Sequence, residues 1–147
     1  MKKFLTLSNI LKACAFVLGF VAFFIMFADQ AYIEVLGNKG YVHFDEAFFD
    51  NGGNAIGFVG YLLVLLASLA VCGFIFLKLD DKVKKIINFA LAFVLLLGAI
   101  FIFVEAAALN GTNNTEAFHL AAGPVFAGIF GILAAAAVVV SEFVGKK

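Results

Sequence analysis

Four apolar runs, each about as long as a bilayer's hydrocarbon core is thick, constrain this chain more than any other feature. A spanning helix needs about 20 predominantly apolar residues to cross roughly 30 Å of hydrocarbon. The runs lie at about residues 10–28, 55–77, 86–104 and 120–140. Hydrocarbon offers no hydrogen bonds, so each run must satisfy its own backbone, and a long continuous run does so as a helix rather than as an alternating barrel strand. Composition agrees, since 65% of the 147 residues are hydrophobic, against roughly 45–50% in a soluble domain. The expected fold is an all-α membrane protein, an antiparallel four-helix transmembrane bundle forming a single domain over residues 1–147.

Lysine placement sets the expected orientation. Lys2, Lys3, Lys12, Lys78, Lys82, Lys84, Lys85, Lys146 and Lys147 flank one side of the runs and only Lys39 flanks the other. The positive-inside bias then puts both termini in the cytoplasm of a multi-pass plasma-membrane protein. Lys12 falls in the opening turn of the first run, where its stem is expected to carry the ammonium back to the headgroups. The first run is expected to be retained, because no pair of small residues stands at signal-peptidase spacing around Met26, Ala28, Asp29 and Ala31.

The segment 29–54 is the one connection long enough to fold by itself. Tyr32, Ile33, Val35 and Leu36 are strand formers, Gly37-Asn38-Lys39-Gly40 supplies turn chemistry, and Tyr41, Val42, His43 and Phe44 resume strand composition. These predict a β-hairpin over about 32–44, followed by Phe48 and Phe49 as an interfacial aromatic anchor and a turn through Asp50-Asn51-Gly52-Gly53-Asn54. A two-stranded hairpin is marginal in water, so it must pack on the helix ends, gain another strand or meet a partner. Tyr32, Tyr41, His43, Phe48 and Phe49 are the candidate recognition residues of this outer loop. The second outer loop carries Asn110-Gly111-Thr112 and Asn113-Asn114-Thr115, each matching a glycosylation triplet and read here as polar turn residues. Asn113 with Glu116 also predicts a helix cap, with the fourth helix starting early and bending near Pro124.

Two constellations in the runs invite a functional reading. Gly123, Ala127, Gly131 and Ala135 recur every four residues, a small-residue stripe that lets another helix approach closely. It serves packing within the bundle or a seam with a second copy. Glu105, near the outer end of the third run, is the only acid inside an otherwise apolar stretch and is expected at the outer interface, where its carboxylate reaches water; His119 lies across a short loop. As a polar pair at the outer interface they would hold an interfacial hydrogen bond or relay protons.

Other chemistry lacks its residues. Two histidines cannot furnish a zinc site alongside Cys14 and Cys72, which read as small buried hydrophobes, so no metal or cofactor is expected. Ser68 and Ser141 have no local base and are expected to bond their own helix backbone. Zero formal charge, with ten lysines against ten acids, gives no field for nucleic acid. The expected partners are the lipid bilayer and either a second copy or another membrane protein.

With its lysine-rich start and apolar first run, Lys2 to Phe27, the chain resembles the small, uncharacterised four-span proteins of low-GC Gram-positive bacteria. In plan it is also similar to claudin-like tetraspans, with a long first outer loop and a short second one, although it has no tryptophan and no cysteine in that loop. The resemblance implies architecture alone. The expected role is non-enzymatic, a structural or accessory tetraspan protein with an outer recognition loop. A small oligomeric channel or transporter subunit is the alternative.

Overall fold

The computed structural model describes residues 6–49, 53–115 and 117–144. The expectations on Lys2, Lys3, Asp50, Asn51, Gly52, Glu116, Lys146 and Lys147 fall outside the described residues. Among the described residues four helices are long and apolar enough to cross a membrane: α1 (Leu7–Ile25), α3 (Ile56–Phe74), α4 (Asp81–Phe103) and α6 (Ala122–Ser141). Two short helices, α2 (Phe44–Phe48) and α5 (Glu105–Asn113), and three strands, β1 (Ala31–Val35), β2 (Asn38–Val42) and β3 (Phe118–Leu120), are the other elements of the described residues. The long helices form a ring in which α1 and α4 stand diagonally and each packs against both α3 and α6. One end of the ring carries the sheet and the other carries Lys12, Lys78, Lys82, Lys84 and Lys85.

Helix packing rests on small residues. A Cβ built on Gly60 would stand 2.6 Å from the Gly98 carbonyl oxygen, and one on Gly98 would stand 2.8 Å from that of Gly60. The backbones of α3 and α4 therefore meet where neither residue has a side chain. Gly19 of α1 lies against Ser68 of α3, and Gly128 of α6 lies under the ring of Phe103. The fourth-run stripe works inside the bundle: a Cβ on Gly123 would meet Ala28 at 3.1 Å, and one on Gly131 would meet Ala99 at 3.2 Å. Ala127 and Ala135 of the same stripe are buried. Close approach of this kind supplies dispersion contacts that solvating chains cannot match. The middle of the ring is filled by Val64, Leu95, Ala99 and Val138, all fully buried. The outward faces carry Val17, Phe20, Leu66, Phe93 and Leu133, all exposed, an apolar surface suited to lipid rather than water.

The hairpin forms, with its turn one step earlier than composition predicts. Val35 pairs with Asn38, so the turn is the two residues Leu36-Gly37, and Asn38, Lys39 and Gly40 belong to β2. Leu36 and Gly37 have φ of 51° and 81°, the two positive values that a tight type I′ hairpin turn requires. His43 is not a strand residue but stands at the N-cap position of α2, which begins at Phe44, without a side-chain capping bond. The third strand, β3, pairs antiparallel with the other edge of β1 to give the order β2-β1-β3.

Several expectations for the second outer loop and the thiols are corrected. Asn110 and Asn113 lie in α5 rather than in a turn, and the Asn113 side chain donates back to the Leu109 carbonyl instead of capping the fourth helix. α6 begins at Ala122, which places Pro124 in its first turn, where a missing N–H leaves no intrahelical bond unmade and the break expected in the hydrogen-bond ladder does not arise. Cys14 is exposed on the outside of α1 and Cys72 is half-buried, both as free thiols. Ser68 and Ser141 donate to the Val64 and Val138 carbonyls, the backbone bonds expected of them.

Glycine contacts make a paired prediction for stability. Gly98→Ala pushes a methyl group into the Gly60 carbonyl and should lower stability by about 1–3 kcal/mol. Gly73→Ala, where a Cβ meets nothing within 4 Å, should raise it by up to about 1 kcal/mol through helix propensity. Unfolding midpoints of the purified variants in mixed detergent micelles read both.

Candidate functional site

Chemistry-bearing side chains collect at the two ends of the ring. At the sheet end the polar centre is Gln30, fully buried just past α1. Its Nε2 donates to the carbonyl oxygens of Met26 and Ala28, each at 2.7 Å, which closes the open end of α1. Its Oε1 accepts from the Tyr61 hydroxyl at 2.9 Å. Its backbone N–H donates to Val42 at 2.8 Å and its carbonyl accepts from the Ala121 N–H at 3.2 Å. One residue thus joins α1, the hairpin, α3 and the start of α6.

Glu105 lies beside this cluster, beyond the end of α4 and in the first turn of α5. The chain bends at Val104, and the carboxylate turns back to accept the Gly57 N–H at 2.8 Å through Oε2. The N-cap of α3, Ala55, has no side-chain acceptor, so Glu105 and the Asn54 Oδ1, which accepts from Ile56 at 3.0 Å, cap α3 in its place. Gly57 admits the carboxylate because a Cβ there would stand 2.9 Å from both Oε2 and the Phe48 ring. Glu105 is 1% exposed and its Oε1 has no partner. The expectation that it reaches water is therefore corrected. Burial pushes its carboxyl up to about 8, and the Gly57 N–H opposes that rise only in part.

The structure also separates the proposed Glu105–His119 pair. His119 sits in β3, exposed, with its ring 5.3 Å from that of Tyr32. Register explains this: Tyr32 stands opposite Tyr41 on one side and His119 on the other, so the three rings form a row across the outward face of the sheet. Tyr32 and Tyr41 are 6.2 Å apart, and the Lys39 ammonium lies 4.8 Å above the Tyr32 ring. The opposite face, with Ala31, Val42 and Phe118, packs on the bundle. Leu36 projects from the tip, 98% exposed.

Of the remaining recognition candidates, His43 is exposed and its Nδ1 pairs with Asp29, clipping the base of the hairpin. Phe49 is exposed, 59%. Phe48 is not a surface residue: it is buried against Phe58 and Tyr61, because α2 turns its inner face onto α3. Sequence reasoning did not single out Gln30 or Asn88, and it read Leu36 as a strand former where the structure makes it a turn residue. Asn88 was visible as an amide interrupting an apolar run, whereas Gln30 has no signal of its own.

The lysine end holds a second cluster. Lys12, expected at the headgroups, is instead 8% exposed, with Nζ 3.8 Å from Glu142 Oε1, and the Asn88 amide donates to the same oxygen. Lys12 balances the charge of the buried carboxylate and Asn88 hydrogen-bonds it, so neither ion is left uncompensated. Among the described residues no group of three histidine, cysteine or carboxylate side chains converges as a metal site would need. Comparison with known proteins finds no family model, no curated protein and no solved structure that matches this chain.

The raised Glu105 carboxyl gives a pH prediction. Between its ordinary value of 4.5 and about 8, the folded protein keeps a proton that the unfolded chain has lost. Stability contributed by neutral Glu105 is therefore complete below the lower value and is lost as pH rises through the upper one. Thermal midpoints in detergent should fall by several degrees between those limits. Glu105→Gln should flatten that slope, and an unchanged slope would show that another group titrates.

Proposed function

We propose that the chain is a multi-pass membrane protein with a structural or accessory role, and that it docks a partner protein through the outward face of its sheet. Leu36 is the observation that carries this reading. A leucine in the left-handed region costs about 1–2 kcal/mol, and glycine or asparagine would fill the turn more cheaply. At 98% exposure the side chain gains nothing in return from its own fold. Beside it, the Tyr41–Tyr32–His119 row offers flat aromatic area, a composition favoured where proteins meet, on a sheet held to the bundle through Gln30. The lysine bias supports a cytoplasmic location for the opposite end.

The channel or transporter alternative draws less support. Its residues would have to form a polar path, and between the two end clusters the ring is filled by aliphatic side chains. A catalytic role draws none from the clusters described, which serve as caps and ties between helices.

Photo-crosslinking in producing cells tests the docking reading. A crosslinking residue at position 36 should give one discrete protein adduct, and Tyr41→Ala should reduce its yield several-fold. An adduct of twice the chain's mass identifies a second copy as the partner, and any other discrete mass identifies a different protein. Leu36→Asn should stabilise the purified protein by about 1 kcal/mol while abolishing capture at neighbouring Lys39. Lipid adducts alone, or capture indifferent to both substitutions, would reject the reading.

A further inference from the structure

The ends of the four long helices border a half-open cavity of about 330 Å³ on the lysine side, within the size range of small-molecule pockets, about 300–1,000 Å³. Its wall includes Thr6 and Ser8 from the start of α1, Lys12 one turn further, Lys78 after α3, Lys84 in α4 and Glu142 after α6. Asp81, in the first turn of α4, also lines it. This is the polar counterpart of the bundle's apolar middle, and none of the ties described above requires so large a space.

Donors dominate the wall. Lysine offers three N–H groups and no acceptor. Glu142 is already engaged by Lys12 and Asn88, and Lys12 is held at the cavity by that contact. Among the described residues Lys78 and Lys84 form no ion pair. Three lysines against two carboxylates leave an excess of positive charge. The N-termini of α1 and α4 and the C-termini of α3 and α6 all border the space, so the helix dipoles offset one another and the positive excess comes from the lysines.

Ser8 supplies an independent sign of a ligand. It is 2% exposed, it lines the cavity, and its Oγ has no hydrogen-bond partner. A buried hydroxyl without a partner costs about 1–3 kcal/mol, whereas Thr6, two residues earlier, caps α1 by accepting from the Asn9 N–H at 3.1 Å. A ligand rich in acceptor oxygens would satisfy the hydroxyl and the ammonium groups together. We propose that this cavity binds a phosphate group, carried by an anionic lipid headgroup or free as a small phosphate. Its oxygens would be shared by Lys78, Lys84 and the Ser8 hydroxyl, with Lys12 behind them.

Calorimetric titration of the purified full chain in neutral detergent tests the site. The probes are short-chain phosphatidic acid, inorganic phosphate, and short-chain phosphatidylcholine as a zwitterionic reference. Phosphatidic acid should bind saturably with one molecule per chain, and Lys84→Gln should weaken it about tenfold, the loss of one charge-assisted hydrogen bond. Lys82→Gln removes the same charge from the same segment but lies outside the cavity wall, and should change affinity less than about twofold, as an exposed charge does. Ser8→Ala should weaken binding without lowering the thermal midpoint of the unliganded protein, since it removes a hydroxyl with no partner. Saturable binding of phosphatidic acid alone assigns the headgroup as ligand, and equal binding of inorganic phosphate assigns the free ion. Absence of saturable binding by both, binding of phosphatidylcholine as tight as that of phosphatidic acid, or equal losses from Lys82→Gln and Lys84→Gln would overturn the proposal.

Discussion

The sheet end of this protein depends on one side-chain amide. A helix that ends in apolar surroundings leaves its last carbonyls without donors, and each unmade bond there is expensive. Gln30 resolves this for α1 by folding back four residues to Met26 and two to Ala28. Only an amide suits the position, because Nε2 must donate to carbonyls while Oε1 accepts from Tyr61. A carboxylate would set charge against those carbonyls, and an aliphatic residue would leave both the helix end and the Tyr61 hydroxyl unmet. Because the Gln30 backbone also bonds to Val42 and receives Ala121, the hairpin and the start of α6 take their positions from the same residue.

That anchor explains why the sheet can display aromatic residues outward. A free hairpin would bury its rings against whatever apolar surface lay closest. Here the inward face is already occupied by Ala31, Val42 and Phe118, and the alternation of strand side chains leaves Tyr32, Tyr41 and His119 no choice of side. Phe48 goes the other way for the same kind of reason, since the short α2 lies along the top of α3 and Phe48 fills the space beside Gly57.

Much of the architecture was legible because its signals are long. Four runs near 20 residues specify four helices, and Tyr32 to Val42 alternates well enough to specify a hairpin. The errors fall where a short signal has two meanings. Asparagine favours helix starts and the left-handed exit alike, and the pair Asn113-Asn114 turned out to serve the exit, with Asn114 at φ 53°. Gly37-Asn38-Lys39-Gly40 offers several turns, and cross-strand register chose the one that spends a leucine at positive φ. Three-residue β3 carries no periodicity at all and exists only because the edge of β1 is open to it. Glu105 stood out in the sequence, but its partner is a backbone N–H, which no pattern of side chains can reveal.

Smooth apolar helices pack well at many vertical offsets, so dispersion and glycine contacts alone leave the register of a bundle underdetermined. The polar contacts supply what is missing, one for each side of the ring. Gln30 with Tyr61 joins the end of α1 to α3, and Glu105 with Gly57 joins the end of α4 to the start of α3. Lys12 with Glu142 joins α1 to the end of α6, and Asn88 with the same carboxylate joins α4 to it. A slip of one turn, about 5.4 Å, along any side would strand a buried polar group, and stranding one member of a buried ion pair costs about 3–5 kcal/mol. The ties stand at the two ends rather than in the middle, where desolvation is hardest to offset. This placement fixes the helices against sliding while leaving the centre apolar.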